Sequence, residues 1–271
     1  MTTHIGIIGG GSISESHARA ARELADVRVA AVYGQNQERV ARLAQQYDAT
    51  GYARLEDFLR HRPLEVVAIG SPSALHADEG IAAARQGIHV LTEKPIDVRL
   101  ERADSLIAEC ARSGVKLGVF FQDRTAPDLR RLKELLSDGN ILGRLTLVSA
   151  RVKWYRPPEY YGASRWRGTY AFDGGGALIN QGIHTADLLL WLLGDIARVT
   201  ARTSTALHQI EVEDTCVATL EFASGAIGTL EATTAAYPGF APRGTRRHRR
   251  HHHHRARPRE RRASAKRRDA S

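Results

Sequence analysis

The stretch Ile5-Gly6-Ile7-Ile8-Gly9-Gly10-Gly11-Ser12-Ile13-Ser14 decides the fold of this chain. Its apolar start predicts a buried strand, its glycines a tight turn, and the residues from Ser12 onward a helix. Gly9 permits the turn and Gly11 lets the backbone approach a pyrophosphate, which free N–H groups at the helix N-terminus would bind. Ser14 replaces the third glycine of this fingerprint with a small residue. The stretch therefore predicts a dinucleotide site formed by Gly9, Gly11, Ser12, Ile13 and Ser14.

The choice between NAD and NADP depends on the end of the second predicted strand. The residues Val32-Tyr33-Gly34-Gln35-Asn36 contain no carboxylate that would bind the ribose 2′-hydroxyl of NAD. Arg39 follows one turn later, either facing the 2′-phosphate of NADP or lying in solvent as an ordinary helix residue. We therefore expect NAD or NADP as cofactor and assign Gly34 and Arg39 to its site.

Short apolar runs alternate with helical patterns through residues 1–123. Because strands that alternate with helices pair in parallel through right-handed crossovers, this part predicts an α/β Rossmann domain. Residues 124–240 instead predict an α+β domain with a mostly antiparallel sheet, including a hairpin at Ser224-Gly225 and an apolar helix at about 176–193. The five strands predicted for the first domain are Ile5–Ile8, Val27–Val32, Val66–Ile69, His89–Leu91 and Val115–Phe121.

The basic charge is concentrated in the last 31 residues. Residues 241–271 hold 13 of the 39 Lys and Arg residues and 2 of the 30 Asp and Glu residues, which leaves 26 basic and 28 acidic residues, a net charge of −2, for residues 1–240. The globular part therefore gives no electrostatic reason to expect nucleic acid as a partner. Residues 241–271 contain no Val, Ile, Leu, Met, Phe, Trp or Tyr, and we expect this tail to be disordered.

A shifted reading frame accounts for the composition of this tail. In GC-rich DNA, Thr and Ile codons read one base early become His codons, and Gly and Ala codons become Arg codons. The run from Arg246 to His254 then corresponds to a Gly/Ala turn followed by a Thr/Ile strand. The alternative is a genuine basic tail that binds nucleic acid or an anionic membrane.

The remaining composition argues for a cytoplasmic protein. Cys110 and Cys216 are far apart and lack CxxC spacing, which argues against a disulfide framework or a cysteine zinc site. We expect neither a membrane span nor a secretion signal, because the chain has no long apolar run and no basic, apolar leader.

Three further stretches resemble the glucose–fructose oxidoreductase/inositol dehydrogenase (Gfo/Idh/MocA) family. They are His17 after the glycine turn, Gly70-Ser71-Pro72-Ser73-Ala74-Leu75-His76, and Leu91-Thr92-Glu93-Lys94-Pro95-Ile96-Asp97. The resemblance implies that Lys94 lies beside the nicotinamide and the reacting carbinol as a catalytic residue. It also implies a cofactor pocket that includes Ser71, Pro72, His76, Glu93, Lys94, Pro95 and Gln122.

A second group of polar residues lies in Asp173–Asp187. Asn180, His184 and Asp187 are spaced i, i+4, i+7, which predicts one polar face on an apolar helix. By resemblance His184 is the acid/base. Asn180 stands where the family has an assisting aspartate, and since an amide accepts no proton, Asn180 is limited to hydrogen bonding. We expect Asp187 to orient His184 and expect no metal.

Aromatic and cationic residues predict the substrate site. They lie in Lys153–Tyr161 and Trp166–Gly168, an arrangement similar to that of family members acting on nucleotide-activated amino-sugar uronates, although a loop packed by its own aromatics is the alternative. Rings stack on sugar faces, and Arg and Lys pair with phosphate or carboxylate. The predicted substrate residues are Lys153, Tyr155, Arg156, Trp166, Arg167, Asn180 and His184.

Together these features predict an NAD(P)-dependent dehydrogenase acting on a secondary alcohol of a sugar, nucleotide sugar or cyclitol. An NAD-dependent glycosidase and a non-catalytic cofactor-binding regulator are the alternatives. Family members are longer than this chain, so we expect a dimer or tetramer only if the second domain is complete, and the activity of the chain as written depends on the same condition.

Overall fold

The computed structural model describes residues 1–138, 141, 143–164 and 166–240. The predictions of disorder and of a shifted frame for residues 241–271 therefore lie outside the described residues. Within the described part, no helix combines the length and the apolar character needed to cross a membrane.

The first half of the chain forms a six-stranded parallel sheet with helices on both faces. Its strands run in the order β3-β2-β1-β4-β5-β6, the arrangement of a doubly wound Rossmann domain. The strands are β1 (Thr3–Ile8), β2 (Val27–Tyr33), β3 (Thr50–Tyr52), β4 (Val66–Ile69), β5 (His89–Thr92) and β6 (Leu117–Val119). The helices are α1 (Ser12–Arg22), α2 (Gln37–Gln46), α3 (Leu55–Leu59), α4 (His76–Ala84) and α5 (Leu100–Arg112).

Two apolar clusters cover the two faces of this sheet. On one face α1 and α2 pack through residues such as Ala18 and Val40, and on the other α4 and α5 pack through residues such as Ala83 and Leu106. The central strands β1 and β4 end in runs of four and three consecutive buried residues, as expected for parallel strands covered on both sides. Strand order reverses between β1 and β4, so a crevice opens at their carboxyl ends.

The second half forms a five-stranded sheet in the order β11-β7-β10-β9-β8. All pairs are antiparallel except β7 with β10, which is parallel. The predicted α/β domain followed by a mostly antiparallel domain is thus confirmed. The elements are α6 (Pro127–Ser137), β7 (Leu147–Tyr155), α7 (Pro158–Gly162), α8 (Ile183–Leu193), β8 (Ile196–Ser204), β9 (Thr215–Phe222), β10 (Ile227–Thr233) and β11 (Ala235–Phe240).

One face of this second sheet packs on α8. The buried side chains of Leu189, Leu220 and Leu230 lie at the centre of that contact. The opposite face leaves Leu147 and Ile227 exposed. The predicted apolar helix at 176–193 consists of two parts, a π-helical turn at Ala177–Gly182 followed by α8. In a π-helix each hydrogen bond spans five residues, so the residues of that turn do not follow α-helical spacing.

Candidate active site

Four loops converge at the carboxyl edge of the parallel sheet. The glycine turn follows β1, residues 70–75 follow β4, residues 93–97 follow β5, and a short 3₁₀ turn at Gln122–Thr125 follows β6. The predicted cofactor residues Ser71, Pro72 and Gln122 all lie in these loops. This is the edge where ligands bind in open α/β sheets.

The glycine turn is closely packed against its neighbours. Gly9 has a φ of +115°, and a Cβ there would lie 2.8 Å from the carbonyl oxygen of Gly70. Ser14 is fully buried, and its hydroxyl would lie 3.1 Å from a Cβ at Gly70. A small side chain at position 14 therefore allows α1 to approach β1 and β4.

The N-terminus of α1 has the properties of an anion site. Gly11 is the N-cap residue, no side chain caps the helix, and a Cβ at Gly11 would meet nothing within 4 Å. The first N–H groups of the helix therefore face open space, with Ser12 and Ile13 exposed beside them. This geometry fits the pyrophosphate of a dinucleotide.

The end of β2 adjoins the glycine turn. A Cβ at Gly34 would lie 3.2 Å from the carbonyl carbon of Gly9, and a Cβ at Gly10 would lie 3.1 Å from the Cβ of Arg39. Arg39 is exposed in the first turn of α2, which the side chain of Asn36 caps. Its guanidinium is therefore within reach of a group bound over the turn.

His76 does not line the crevice as the sequence suggested. It is 1 % exposed, and its two ring nitrogens lie 2.8 Å from the carbonyl oxygen of Pro95 and 2.9 Å from that of Ser71. The Ser71 hydroxyl is likewise turned inward, donating to Glu79, whose pKa burial raises to about 7. His76 therefore supports two cofactor loops from beneath, because the α4 helix that begins there faces the core.

Glu93 connects the loop after β5 to α1. His17 Nε2 lies 3.2 Å from Glu93 Oε1, and the His17 ring stacks on Phe120 with 4.2 Å between centroids. Burial raises the pKa of Glu93, but the contact with His17 and the charge of Lys94 outweigh it, so the net pKa lies below its usual range. Glu93 is thus ionised beside Lys94. Pro95 follows through a cis peptide bond and is buried.

Lys94 reaches across to the second domain. Its Nζ donates to the backbone oxygen of Asn180 at 3.3 Å. Burial lowers the pKa of Lys94, and the charges of Glu93 and Asp173 raise it in part. Burial and then the charge of Lys94 lower the pKa of His184, whose Nδ1 has no hydrogen-bond partner among the described residues. Two groups suited to proton transfer therefore share one site.

Asp187 does not orient His184, contrary to expectation. Its carboxylate accepts two hydrogen bonds from Arg124, at 2.5 and 2.8 Å. His184 instead forms a T-shaped pair with the Phe121 ring, with 6.1 Å between centroids. His184 and Asp187 both lie in α8, so helical spacing alone does not pair them, and Asp187 is taken up by Arg124 of the 3₁₀ turn that joins the two domains.

Asp173 is a site residue that was not predicted from the sequence. Its side chain is 3 % exposed and accepts a 2.7 Å hydrogen bond from Asn180 Nδ2. Burial raises the pKa of Asp173, although its hydrogen bonds and the charges of Arg167 and Lys94 lower it in part. Its place directly before three glycines was the available signal.

The predicted substrate residues fall into two groups. Arg156 and Arg167 both lie over the Tyr160 ring, at 4.7 and 4.5 Å from its centroid. Arg156 also lies over Trp154 and Arg167 over Trp166, which gives an alternating row of rings and guanidinium groups. Arg156 Nε is buried and has no hydrogen-bond partner among the described residues.

Lys153 and Tyr155 do not belong to this row. Lys153 pairs with Glu231 at 2.6 Å on the open face of the second sheet, and Tyr155 packs against Tyr237. The physical reason is strand alternation, since neighbouring residues of β7 point to opposite faces. The described residues also contain no group of three or more His, Cys, Asp or Glu side chains placed to hold a metal ion.

A doubly wound parallel sheet, a glycine turn leading into a helix with no side-chain cap, and a lysine that meets the second domain at this edge define a nicotinamide-dinucleotide-binding Rossmann protein. The chain belongs to the Gfo/Idh/MocA family. Residues 3–121 match the profile of the oxidoreductase family with NAD-binding Rossmann fold, and residues 129–263 match that of the GFO/IDH/MocA C-terminal domain. The cofactor of this domain is NAD or NADP.

Similar proteins carry dehydrogenase, reductase or catabolic names. The rhizopine catabolism protein MocA of Rhizobium meliloti is 33% identical over 70% of this chain and 57% of its own length. The 1,5-anhydro-D-fructose reductase of Ensifer adhaerens is 29% identical over 89% of this chain and 73% of its own length. The WlbA dehydrogenase of Bordetella pertussis was crystallised with NADH and UDP-GlcNAcA. Its structure is 35% identical in sequence to this chain, with a TM-score of 0.85, and the match covers 88% of this chain and 68% of the WlbA chain. These relatives favour neither the glycosidase nor the regulator alternative.

Proposed function

We propose that the protein transfers a hydride between the nicotinamide of NAD(P) and a secondary alcohol of a sugar, nucleotide sugar or cyclitol. The observation that carries the proposal is the meeting of Lys94, from the loop after β5, with the backbone of Asn180 one turn before His184. The nicotinamide, when bound, supplies the hydride acceptor or donor. Gly9, Gly11, Ser12 and Ser14 would form its pyrophosphate site together with Ile13.

The two ionisable groups have complementary roles in this proposal. The Lys94 ammonium would stabilise negative charge on the substrate oxygen and pass on its proton. His184, whose lowered pKa favours the neutral ring near pH 7, would accept a proton. Asn180 accepts the hydrogen bond of Lys94 through its backbone oxygen. Its amide contributes hydrogen bonds but no proton transfer.

A nucleotide-activated uronic sugar is the substrate class that we favour. Arg156 and Arg167 place two guanidinium groups between aromatic rings, and the buried Arg156 Nε is available to an acceptor. Carboxylates and phosphates bind guanidinium groups of this kind, and sugar rings stack on Trp and Tyr. The similarity to a WlbA dehydrogenase crystallised with UDP-GlcNAcA supports the same class.

The test is a substrate screen with reduced-nicotinamide absorbance as readout. The screen contains neutral sugars, cyclitols, UDP-sugars and UDP-sugar uronates, each with NAD and with NADP. We expect turnover with a UDP-sugar uronate and loss of that turnover in Arg156→Gln. Turnover confined to neutral sugars would contradict the substrate class and leave the dehydrogenase proposal standing, whereas no turnover with any alcohol would contradict both.

We also propose that the protein acts in the cytoplasm as a homo-oligomer. The described cysteines, Cys110 and Cys216, are both free and buried, which suits a reducing compartment. The open face of the second sheet exposes Leu147, Val217 and Ile227, and burial of this face between copies would remove apolar surface from water. Light scattering of Ile227→Glu against the unmodified protein tests the interface, and an unchanged mass would contradict it.

A further inference from the structure

Four consecutive hydrogen bonds run from Gly168 through Asp173 to Arg156, next to the residues of the proposed active site. Asp173 accepts from the backbone N–H of Gly168 at 2.9 Å and from Asn180 Nδ2 at 2.7 Å. Asn180 Oδ1 in turn accepts from Gln181 Nε2 at 2.9 Å, and Gln181 Oε1 accepts from Arg156 Nη2 at 3.0 Å. This series of hydrogen bonds therefore runs from the Asp173 carboxylate, in the loop before the π-helical turn, to the Arg156 guanidinium, directly after β7.

The two ends of this chain determine the direction of every bond in it. A carboxylate only accepts and a guanidinium only donates, so both amides between them have one permitted orientation. If Asp173 became an amide, its NH₂ group would face the NH₂ group of Asn180. Flipping Asn180 would move the mismatch to Gln181, and flipping Gln181 would set its NH₂ group against Arg156. No combination of amide flips satisfies all four contacts.

The same carboxylate is close enough to Lys94 for its charge to raise the pKa of that lysine. The Lys94 Nζ donates to the backbone oxygen of Asn180, the middle residue of this series of hydrogen bonds. Among the described residues, the titratable groups that interact with Lys94 are Glu93 on its own loop, and Asp173 and the imidazole of His184 from the second domain. Asp173 faces Lys94 and Arg167 and is otherwise bonded to uncharged donors.

We propose that Asp173 is a positioning residue of the active site. It holds Asn180 and Gln181 in the orientation that presents Arg156 to the substrate, and it maintains a negative charge beside Lys94. The kinetic consequence rests on the proposed dehydrogenase function. The electrostatic consequence does not, because it exists in the cofactor-free protein.

Exchanging the side chains of Asp173 and Asn180 tests this proposal. In Asp173→Asn the chain of bonds cannot be satisfied, and Lys94 loses a neighbouring negative charge. In the double variant Asp173→Asn with Asn180→Asp, the amide at 173 accepts from Gly168 and donates to the carboxylate at 180, which accepts from Gln181. All four bonds are then retained, with the charge moved by one side chain.

The first readout is the titration of Lys94 without cofactor. The chain has five lysines, Lys94, Lys116, Lys133, Lys153 and Lys266, so ¹³C-methylated lysine signals are few and Lys94→Arg identifies the one of interest. Losing an anion destabilises an ammonium group, so Asp173→Asn is expected to move the Lys94 titration to lower pH. The double variant is expected to return it to at least the original position.

The second readout is steady-state kinetics on the full chain. We expect Asp173→Asn to lower kcat by about tenfold or more while KM for the cofactor stays within about threefold, and the double variant to regain most of the loss. Asp214→Asn is the matched control. Asp214 is also a buried aspartate that accepts backbone N–H bonds, from Ala206, Leu207 and His208, but it does not face Lys94. Its loss is expected to lower the melting temperature without moving the Lys94 titration.

The outcomes separate the two proposals. An unmoved Lys94 titration in Asp173→Asn, or a double variant no better than the single one, overturns the role of Asp173. If Asp173→Asn does not fold, the double variant still decides, because a folded double variant with Lys94 titrating at lower pH than the unmodified protein also overturns it. Absence of all turnover together with the expected Lys94 shift contradicts the proposed function alone.

Discussion

Replacing Gly9 with alanine is expected to destabilise the Rossmann domain rather than to block the cofactor directly. Gly9 has a φ of +115°, which costs about 1–2 kcal/mol for an L side chain. Its new Cβ would also lie 2.8 Å from the Gly70 carbonyl oxygen. That backbone cannot withdraw freely, because Gly70 N donates to Ile8 O and Gly9 N donates to Tyr33 O. Overlap of this kind costs about 1–3 kcal/mol more. The sum, about 2–5 kcal/mol, corresponds to a fall in Tm of about 5–20 °C for a chain of this size.

Gly11→Ala is the matched control within the same turn. Gly11 has a φ of −86°, and its new Cβ would meet nothing within 4 Å. Stability is therefore expected to change by less than about 1 kcal/mol. The methyl group would instead occupy the space over the N-terminus of α1, where we place the pyrophosphate. A loss of cofactor affinity of about tenfold or more, about 1.4 kcal/mol, is expected.

Circular dichroism melts without cofactor, and quenching of protein fluorescence by NAD and NADP, measure the two effects separately. A Gly9→Ala protein with the same melting temperature as the unmodified protein would refute the argument from backbone strain. A Gly11→Ala protein that binds cofactor normally would refute the placement of the pyrophosphate.

Three further predictions concern the site. Lys94→Ala and His184→Ala are each expected to lower turnover by about a hundredfold or more, with little change in cofactor affinity for His184→Ala, and near-normal turnover of His184→Ala would contradict its acid/base role. The Kd for NADP is expected to lie within about tenfold of the Kd for NAD. Arg39→Ala is expected to weaken NADP binding about tenfold and NAD binding less than about twofold. Equal losses of affinity for the two cofactors in a fluorescence titration would show that Arg39 does not contact the 2′-phosphate. Arg124→Ala is expected to lower the free energy of unfolding, measured in urea, by about 1–3 kcal/mol, because it leaves the Asp187 carboxylate charged and unpaired at 8 % exposure. The loss is not expected to be larger, because the Arg124 side chain is 43 % exposed and its charge is screened by water. Adding Asp187→Asn should recover part of that loss, and a double variant no more stable than Arg124→Ala would argue against a charge effect.

Most of the first domain could be predicted because its strands are short and continuously apolar. The prediction for Val66–Ile69 matches β4, and that for Ile5–Ile8 differs from β1 only at its start. The three-residue strand Thr50–Tyr52 was missed because it is largely exposed at the sheet edge and has no apolar run. Edge strands of this length leave little pattern in a sequence.

The second domain and the site were harder to predict, since their contacts join distant residues. The parallel pairing of β7 with β10 has no local pattern, and it places Lys153 beside Glu231 on the open face of the sheet. Asp187 likewise pairs with Arg124, 63 residues earlier in the chain, and no local spacing indicates that contact. Lys94 could be assigned because the stretch Glu93-Lys94-Pro95 resembles a motif of the family, whereas Asp173 was identified from its contacts in the structure.

The position of β7 has a consequence for the order of folding during synthesis. Both of its neighbours in the sheet come from much later in the chain, since Leu147 pairs with Ile227 and Tyr155 with Ala235. While the ribosome is still adding residues 156–226, this strand has no partner, and α8 has no complete sheet on which to bury its leucines. The Rossmann domain can complete its own strands by Val119 and begin to fold first. Long-range closure of this kind is slow, so the nascent second domain is the part of the protein most exposed to aggregation and to chaperone binding.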